Sequence, residues 1–387
     1  MRPRFDILGA RSAAGLGRRL LAILSSWGLV IALGAGGALA TELSSNSVSG
    51  GLSQAQAAVQ KYSQPPKSIG VTTPLSNAKS LRGKRIDYLE QPLQVMKTIG
   101  DNLVQAAVPL GVTVNRISAG STPESWGQAF DQAVQDSPDA VLAGPIPAAV
   151  VGTQLRELAA KHIPVVVWTS TDVPQPGNGV SDNFDGIPYY QRQGQLLADW
   201  VTADSKGSGK AVLFNIPDFP SLAPLANSFT ARLKSVCPNC SQERVNVGAD
   251  SIATTLPGRV VSYLQQNPDV RYVVLGFGDM AIGVPEALSG ANLSGNVKLV
   301  TQSGEQLNYQ YVKNGQQAVE GATPFGFYAW KLMDSTARLM LGASVAPDHA
   351  QLMPTQFLTR KDITFNLNQP WPGVPNYQAA FKKLWGV

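Results

Sequence analysis

Histidine is nearly absent: His162 and His349 are the two in 387 residues. A Ser-His-Asp or Cys-His nucleophilic centre, or a histidine-based metal site, needs an imidazole beside a nucleophile or grouped with other ligands. This chain has almost no material for either, and it calls for no cofactor. His162 falls between a helical pattern and an apolar strand, a place suited to closing a helix end. Charge is also sparse, at 15% of residues, without basic runs. Of the formal +5, residues 1–40 carry +4 (Arg2, Arg4, Arg11, Arg18 and Arg19 against Asp6), which leaves the remainder at +1. So weak a positive balance makes no electrostatic case for nucleic acid. No GxGxxG follows a strand. Gly207-Ser208-Gly209-Lys210 lacks the Ser/Thr and the helix that a phosphate loop needs after its lysine, so it reads as a turn.

Cysteine is limited to Cys237 and Cys240, as Cys-Pro-Asn-Cys. A redox pair is one reading. The pair follows a helical pattern (Phe229, Leu233), however, and near a helix C-terminus the dipole opposes thiolate formation. A small structural disulfide is the expectation, and it suits an exported protein.

Export is indicated by the N-terminus. An arginine-containing start precedes an apolar run over 20–33 and then Ala38-Leu39-Ala40, the form of a signal peptide cleaved after Ala40. The competing reading is an uncleaved anchor over 20–40, made mediocre by Ser25, Ser26, Gly34, Gly36 and Gly37. Arg18-Arg19 gives a faint twin-arginine flavour. No cysteine follows the cleavage point to carry a lipid. Residues 41–82, rich in Ser, Gly, Gln and Pro with little periodicity, are expected as a flexible tether.

From residue 84 strand and helix patterns alternate. Strands are expected over 85–89, 112–117, 140–143 and 163–170. Between them lie helices marked by Met96, Ile99, Leu103, Ala106 and Leu110, by Trp126, Phe130 and Val134, and by Val151, Leu155 and Leu158. Thr122-Pro123-Glu124 is a helix start, with a capping hydroxyl, proline in the first turn and an acid at the positive dipole end. A second set of strands is expected over 211–215, 244–247, 272–276 and 297–301. Its helices are marked by Phe229/Leu233, Val260/Leu264 and Ile282/Leu288. Residues 318–324 lead into a helix over 327–341; 357–365 and a helix over 377–384 close the chain. The fold class is therefore α/β, two doubly wound parallel-sheet lobes. The first begins near residue 83, and the second takes over after residue 180. The apolar run 163–170 is the last strand of the first lobe, so a ligand at its carboxyl end touches both.

Open α/β sheets bind ligands at the carboxyl ends of their strands. Aromatic and neutral polar residues collect there: Gln91, Gln94, Trp168, Thr169, Phe219, Phe277, Ser303, Thr323 and Phe325. Asp279, at the end of the 272–276 strand, is a candidate ligand contact or helix cap.

Four motifs in this order carry a family resemblance. They are Ile163-Pro164-Val165-Val166; Ser181-Asp182-Asn183 before a helix with Gly194; Asn267-Pro268-Asp269-Val270 before a strand; and Gly278-Asp279-Met280-Ala281-Ile282-Gly283. Over roughly 84–365 the chain resembles the type I periplasmic, or extracellular, solute-binding proteins of ABC importers, in the ribose-binding-protein-like group. The resemblance implies two lobes joined by a three-segment hinge, the first over 83–180 plus 324–348 and the second over 181–323 plus 349–387, with a small-molecule ligand in the cleft and an ABC permease complex as partner. The protein would then be a monomer that meets the membrane only through the permease or an uncleaved N-terminus. Where the group's sugar binders carry an Asp-Arg pair this chain has Thr169-Ser170, their Asn becomes Phe277 and their later Asp becomes Ser303. Their Asn-Pro-Phe resembles Gln91-Pro92-Leu93, and an Arg expected near Leu225 is absent. These changes favour a small neutral ligand, sugar-like or partly apolar or aromatic. A ligand-sensing receptor subunit is the alternative; a secreted hydrolase lacks a nucleophile–base set.

Overall fold

The computed structural model describes residues 35–387, with side chains from residue 49 onward. The signal-type reading of 1–40 falls almost entirely outside the described residues. The chain enters through helix α1 (Ala35–Tyr62). A 3-10 turn at Ala78–Leu81 then leads into the first βα series. That series runs β1 (Arg85–Glu90), α2 (Gln94–Leu110), β2 (Thr113–Ser118), α3 (Pro123–Asp136), β3 (Ala140–Ala143), α4 (Gly152–Ala160), β4 (Val165–Val167) and β5 (Asp182–Asn183). Its five strands pair in the order β2-β1-β3-β4-β5, all parallel.

The second series begins with α5 (Gly186–Asp204), β6 (Lys210–Asn215), α6 (Leu222–Val236), β7 (Ser241–Asn246) and α7 (Leu256–Gln266). It continues through β8 (Tyr272–Leu275), α8 (Val284–Gly290), β9 (Lys298–Gln302), α9 (Gln306–Asn314) and β10 (Val319–Ala322). The chain then passes through α10 (Phe325–Met340) and α11 (Ala346–His349) to β11 (Gln356–Leu358), and ends in α12 (Tyr377–Trp385). The second sheet runs β11-β10-β9-β8-β6-β7, with β11 antiparallel on its edge. Leaving β11 aside, it repeats the order of the first sheet. This is the doubly wound arrangement in which the strand order reverses between the first and third strands of each sheet.

The strands form where burial on both faces rewards an unbroken apolar run: β3, β4 and β8 are buried at every position. Helix α3 starts where its cap signal stands, with the Ser125 amide donating to Thr122 Oγ1 at 3.3 Å and the Thr122 amide to Ser125 Oγ at 3.0 Å. Strand β4 is shorter than the apolar run that announces it. It ends because Thr169 turns into the left-handed region at φ 53°, although the Trp168 amide still reaches the Ala143 carbonyl. The disulfide Cys237–Cys240 joins the end of α6 to the turn before β7.

Three expectations need correcting. Residues 41–82 are no tether. α1 covers much of them, Ala55 is fully buried, and a Cβ on Gly51 would lie 2.3 Å from the Val236 carbonyl oxygen. Small residues permit that backbone approach, and periodicity of large apolar residues does not register it. Leu75, Ala78 and Leu81 belong to the main core as well. Second, β5 pairs with β4, so the first sheet extends past residue 180 to Asn183. Third, α12 does not stay with the second lobe. Trp385 stacks on Trp330 of α10 at 5.4 Å and donates to Asp334 Oδ1 at 2.6 Å, while the Leu75 amide bonds the Leu384 carbonyl. Because α10 packs along α2 of the first lobe, the chain crosses a fourth time between β11 and α12.

Candidate functional site

The carboxyl ends of the two sheets face one another across a cavity lined by both lobes. The first lobe supplies Met96 and Ile99 from α2, Pro145 after β3, Trp168 and Thr169 after β4, and Phe325 and Tyr328 from α10. The second supplies Tyr189 and Tyr190 from α5, Phe219 and Leu222 around the start of α6, Phe277 after β8, and Ser303 after β9. To the centre of a water-sized sphere the cavity measures about 70 Å³. A single water needs roughly 10–15 Å³ by the same measure, so the space suits a small molecule and not a polymer.

Aromatic rings give the walls their shape. Trp168 stacks on Tyr88 at 5.7 Å with planes 5° apart, and the Tyr88 phenol donates to the Met96 carbonyl at 2.7 Å. Opposite, Phe219 and Phe277 meet edge to face at 5.8 Å. Thr169 and Ser303 sit at the ends of β4 and β9 with φ of 53° and 54°. A β-branched residue held there is strained, and such strain concentrates at ligand sites.

Two polar knots close the cavity floor. Asp185, at the junction between β5 and α5, accepts the Thr169 amide on Oδ1 at 2.9 Å. Its Oδ2 accepts the phenols of Tyr190 at 2.8 Å and Tyr328 at 2.9 Å. Burial pushes its carboxyl up, and these three donors pull it back. The second knot joins hydroxyls: Tyr189 lies 2.7 Å from Thr323 Oγ1 and 3.3 Å from Ser303 Oγ, and Gln193 Nε2 donates to the Tyr189 oxygen at 2.8 Å.

Behind the wall of the second lobe, buried carboxylates cluster. Burial raises Asp279 to about 6 and Glu320 to about 7. Burial, with the neighbouring Asp279, raises Glu305 to about 8. Across the cleft, Thr98 of α2 donates to Glu305 Oε2 at 3.3 Å. Among the described residues no group of His, Cys, Asp and Glu is arranged to hold a metal ion.

Of the residues expected from sequence, Trp168, Thr169, Phe219, Phe277, Ser303 and Phe325 line the cavity. Thr323 stands one hydrogen bond behind, on Ser303 at 3.1 Å. Three lie off the wall: Gln91 is buried beside it, Gln94 is exposed in the first turn of α2, and Asp279 is buried beyond it. Sequence reasoning missed Asp185, Tyr189, Tyr190 and Tyr328. The first three follow the Ser181-Asp182-Asn183 motif closely enough to have been read from it. Tyr328 reaches Asp185 over a separation of 143 residues, and no local pattern announces that.

The model of the periplasmic binding protein domain matches residues 90–344. No curated protein matches by sequence. Among solved structures, the chain is similar to the 5-methylthioribose transporter solute-binding protein of Thermotoga lettingae TMO, in complex with 5-methylthioribose. The TM-score is 0.64 at 16% identity, over 79% of this chain and 99% of that one. It is similar also to a carbohydrate transporter solute-binding protein of Agrobacterium radiobacter in complex with D-arabinose (0.62, 20%, over 73% and 96%). A third is an ABC transporter solute-binding protein of Agrobacterium vitis bound with alpha-D-tagatopyranose (0.63, 18%, over 73% and 96%). At such identities the likeness establishes the fold: paired α/β lobes with parallel sheets. Since the family pattern runs through both lobes, the chain belongs to the periplasmic binding protein domain family.

Proposed function

We propose that the chain is an extracytoplasmic solute-binding protein. It captures a small neutral molecule between its lobes and delivers it to the permease complex of an ABC importer. The observation that carries this reading is the cavity itself, walled by both lobes at the carboxyl ends of both sheets. A ligand touching both walls favours the closed arrangement over the open one by its differential contacts, and a permease that recognises closure reads occupancy. Neighbouring structures described as transporter solute-binding proteins with sugars bound support the same reading. The signal-type N-terminus read from the sequence supports a place of work outside the cytoplasm.

Binding without turnover is the expected chemistry. His349, 2.8 Å from Asp182, is tied into the hinge and does not line the cavity. A thermal-shift screen across small neutral solutes tests the proposal. A ligand at about one hundred times its dissociation constant should stabilise the fold by about 2.7 kcal/mol. Small-angle scattering of the same sample should show a smaller radius of gyration. Chemical conversion of the bound solute would overturn the reading in favour of an enzyme.

A further inference from the structure

The polar groups on the cavity wall are largely bonded to one another. Asp185 has three protein donors at 2.8–2.9 Å, two of them the wall phenols Tyr190 and Tyr328. Gln302 donates to the Gly276 carbonyl at 2.5 Å and accepts from Ser303 Oγ. Ser303 and Tyr189 share the hydroxyl knot with Thr323. No lysine, arginine or histidine is among the described residues of the wall. Two buried groups there have no partner: the indole N–H of Trp168, from the first lobe, and the hydroxyl of Ser221, from the second. Apolar surface makes up the rest, with Met96, Ile99 and Phe325 on one side and Phe219, Leu222 and Phe277 on the other.

A monosaccharide carries a hydroxyl on nearly every ring carbon. Inside this cavity most of those hydroxyls would exchange water for apolar side chains, and a buried unpaired hydroxyl is costly. A flat ring with little polarity loses nothing by that exchange and gains edge and face contacts with the wall aromatics. The two unpartnered donors ask for an acceptor.

We propose that the cavity takes an uncharged aromatic compound bearing an oxygen acceptor, and not a free monosaccharide. The proposal rests on the solute-binding reading above and narrows it. The acceptor bonds the Trp168 N–H or the Ser221 hydroxyl, while the ring lies among Phe219, Phe277 and Phe325.

The test is calorimetric titration of the full chain with two sets of probes. One holds benzaldehyde, 4-hydroxyacetophenone and benzamide; the other holds D-ribose, D-arabinose and D-glucose. The expected result is saturable binding of at least one aromatic probe, at least one hundredfold tighter than any sugar. Ser221→Ala or Phe277→Ala should weaken that probe at least tenfold, with the unliganded melting temperature as the check that each variant folds. Saturable sugar binding with no aromatic binding would overturn the ligand class and leave the solute-binding reading standing. No binding from either set would overturn both. Aromatic binding unchanged in both folded variants places the probe elsewhere and overturns the assignment to this cavity.

Discussion

Replacing Asp185 with alanine strips the acceptor from three donors at once. The Thr169 amide and the phenols of Tyr190 and Tyr328 lie 2.8–2.9 Å from its carboxyl, and Tyr190 and Tyr328 are 5% and 2% exposed. A buried donor left without a partner costs about 1–3 kcal/mol. Three of them, allowing for some relaxation, put Asp185→Ala at about 3–6 kcal/mol of lost stability. The penalty comes from the orphaned donors more than from the lost contacts, so it should be partly reversible without restoring the carboxylate. Adding Tyr190→Phe and Tyr328→Phe to Asp185→Ala removes two of the three orphans and should recover about 2–4 kcal/mol. Urea denaturation at pH 7 measures both steps, as midpoint shifts at constant slope. The reasoning fails if Asp185→Ala costs under about 1 kcal/mol, or if the two phenylalanines deepen the loss.

Thr169→Gly should stabilise the unliganded protein by about 1 kcal/mol, since glycine holds φ 53° without the Cβ penalty and keeps the amide for Asp185; a lower melting temperature would refute the strain argument. A Cβ on Gly194 would sit 2.0 Å from the Leu225 carbonyl oxygen, a backbone atom with little room to yield. Gly194→Ala should therefore cost about 1–3 kcal/mol or more by prising α5 from α6, and a thermal midpoint within a degree of the parent would count against it. Glu305, raised to about 8, binds its proton more tightly folded than unfolded, so stability falls as pH rises from the ordinary carboxylate range to about 8. Urea midpoints at pH 5, 6.5 and 8 should show that decline, and Glu305→Gln should flatten it. An unchanged slope in the variant would assign the decline to other groups.

Much of the frame was legible in the sequence because strand burial leaves a local mark. Residues 140–143 announced β3 to the residue, and the cap at Thr122 announced α3. The aromatics at strand ends were legible for the same reason: a doubly wound sheet tells where its carboxyl ends point once its strands are placed. What escaped depends on partners far away in the chain. The docking of α1 rests on Gly51 and Ala55, whose smallness is the signal, and a search for large apolar residues overlooks it. The allegiance of α12 is written in Trp330 and Asp334, not in its own periodicity, which would suit either lobe. Gln94 stands off the cavity wall because the chain turns into α2 there and leaves that side chain exposed.

The return of α12 has a mechanical meaning. Four covalent threads, not three, run between the halves, and side-chain bonds within each half brace them: Asp182 to Ser335 and His349 beside the first sheet, and Arg192 to Thr355 beside the second. Each thread limits how far one half can swivel on the other. The fourth thread therefore leaves the halves less freedom to twist than three alone would.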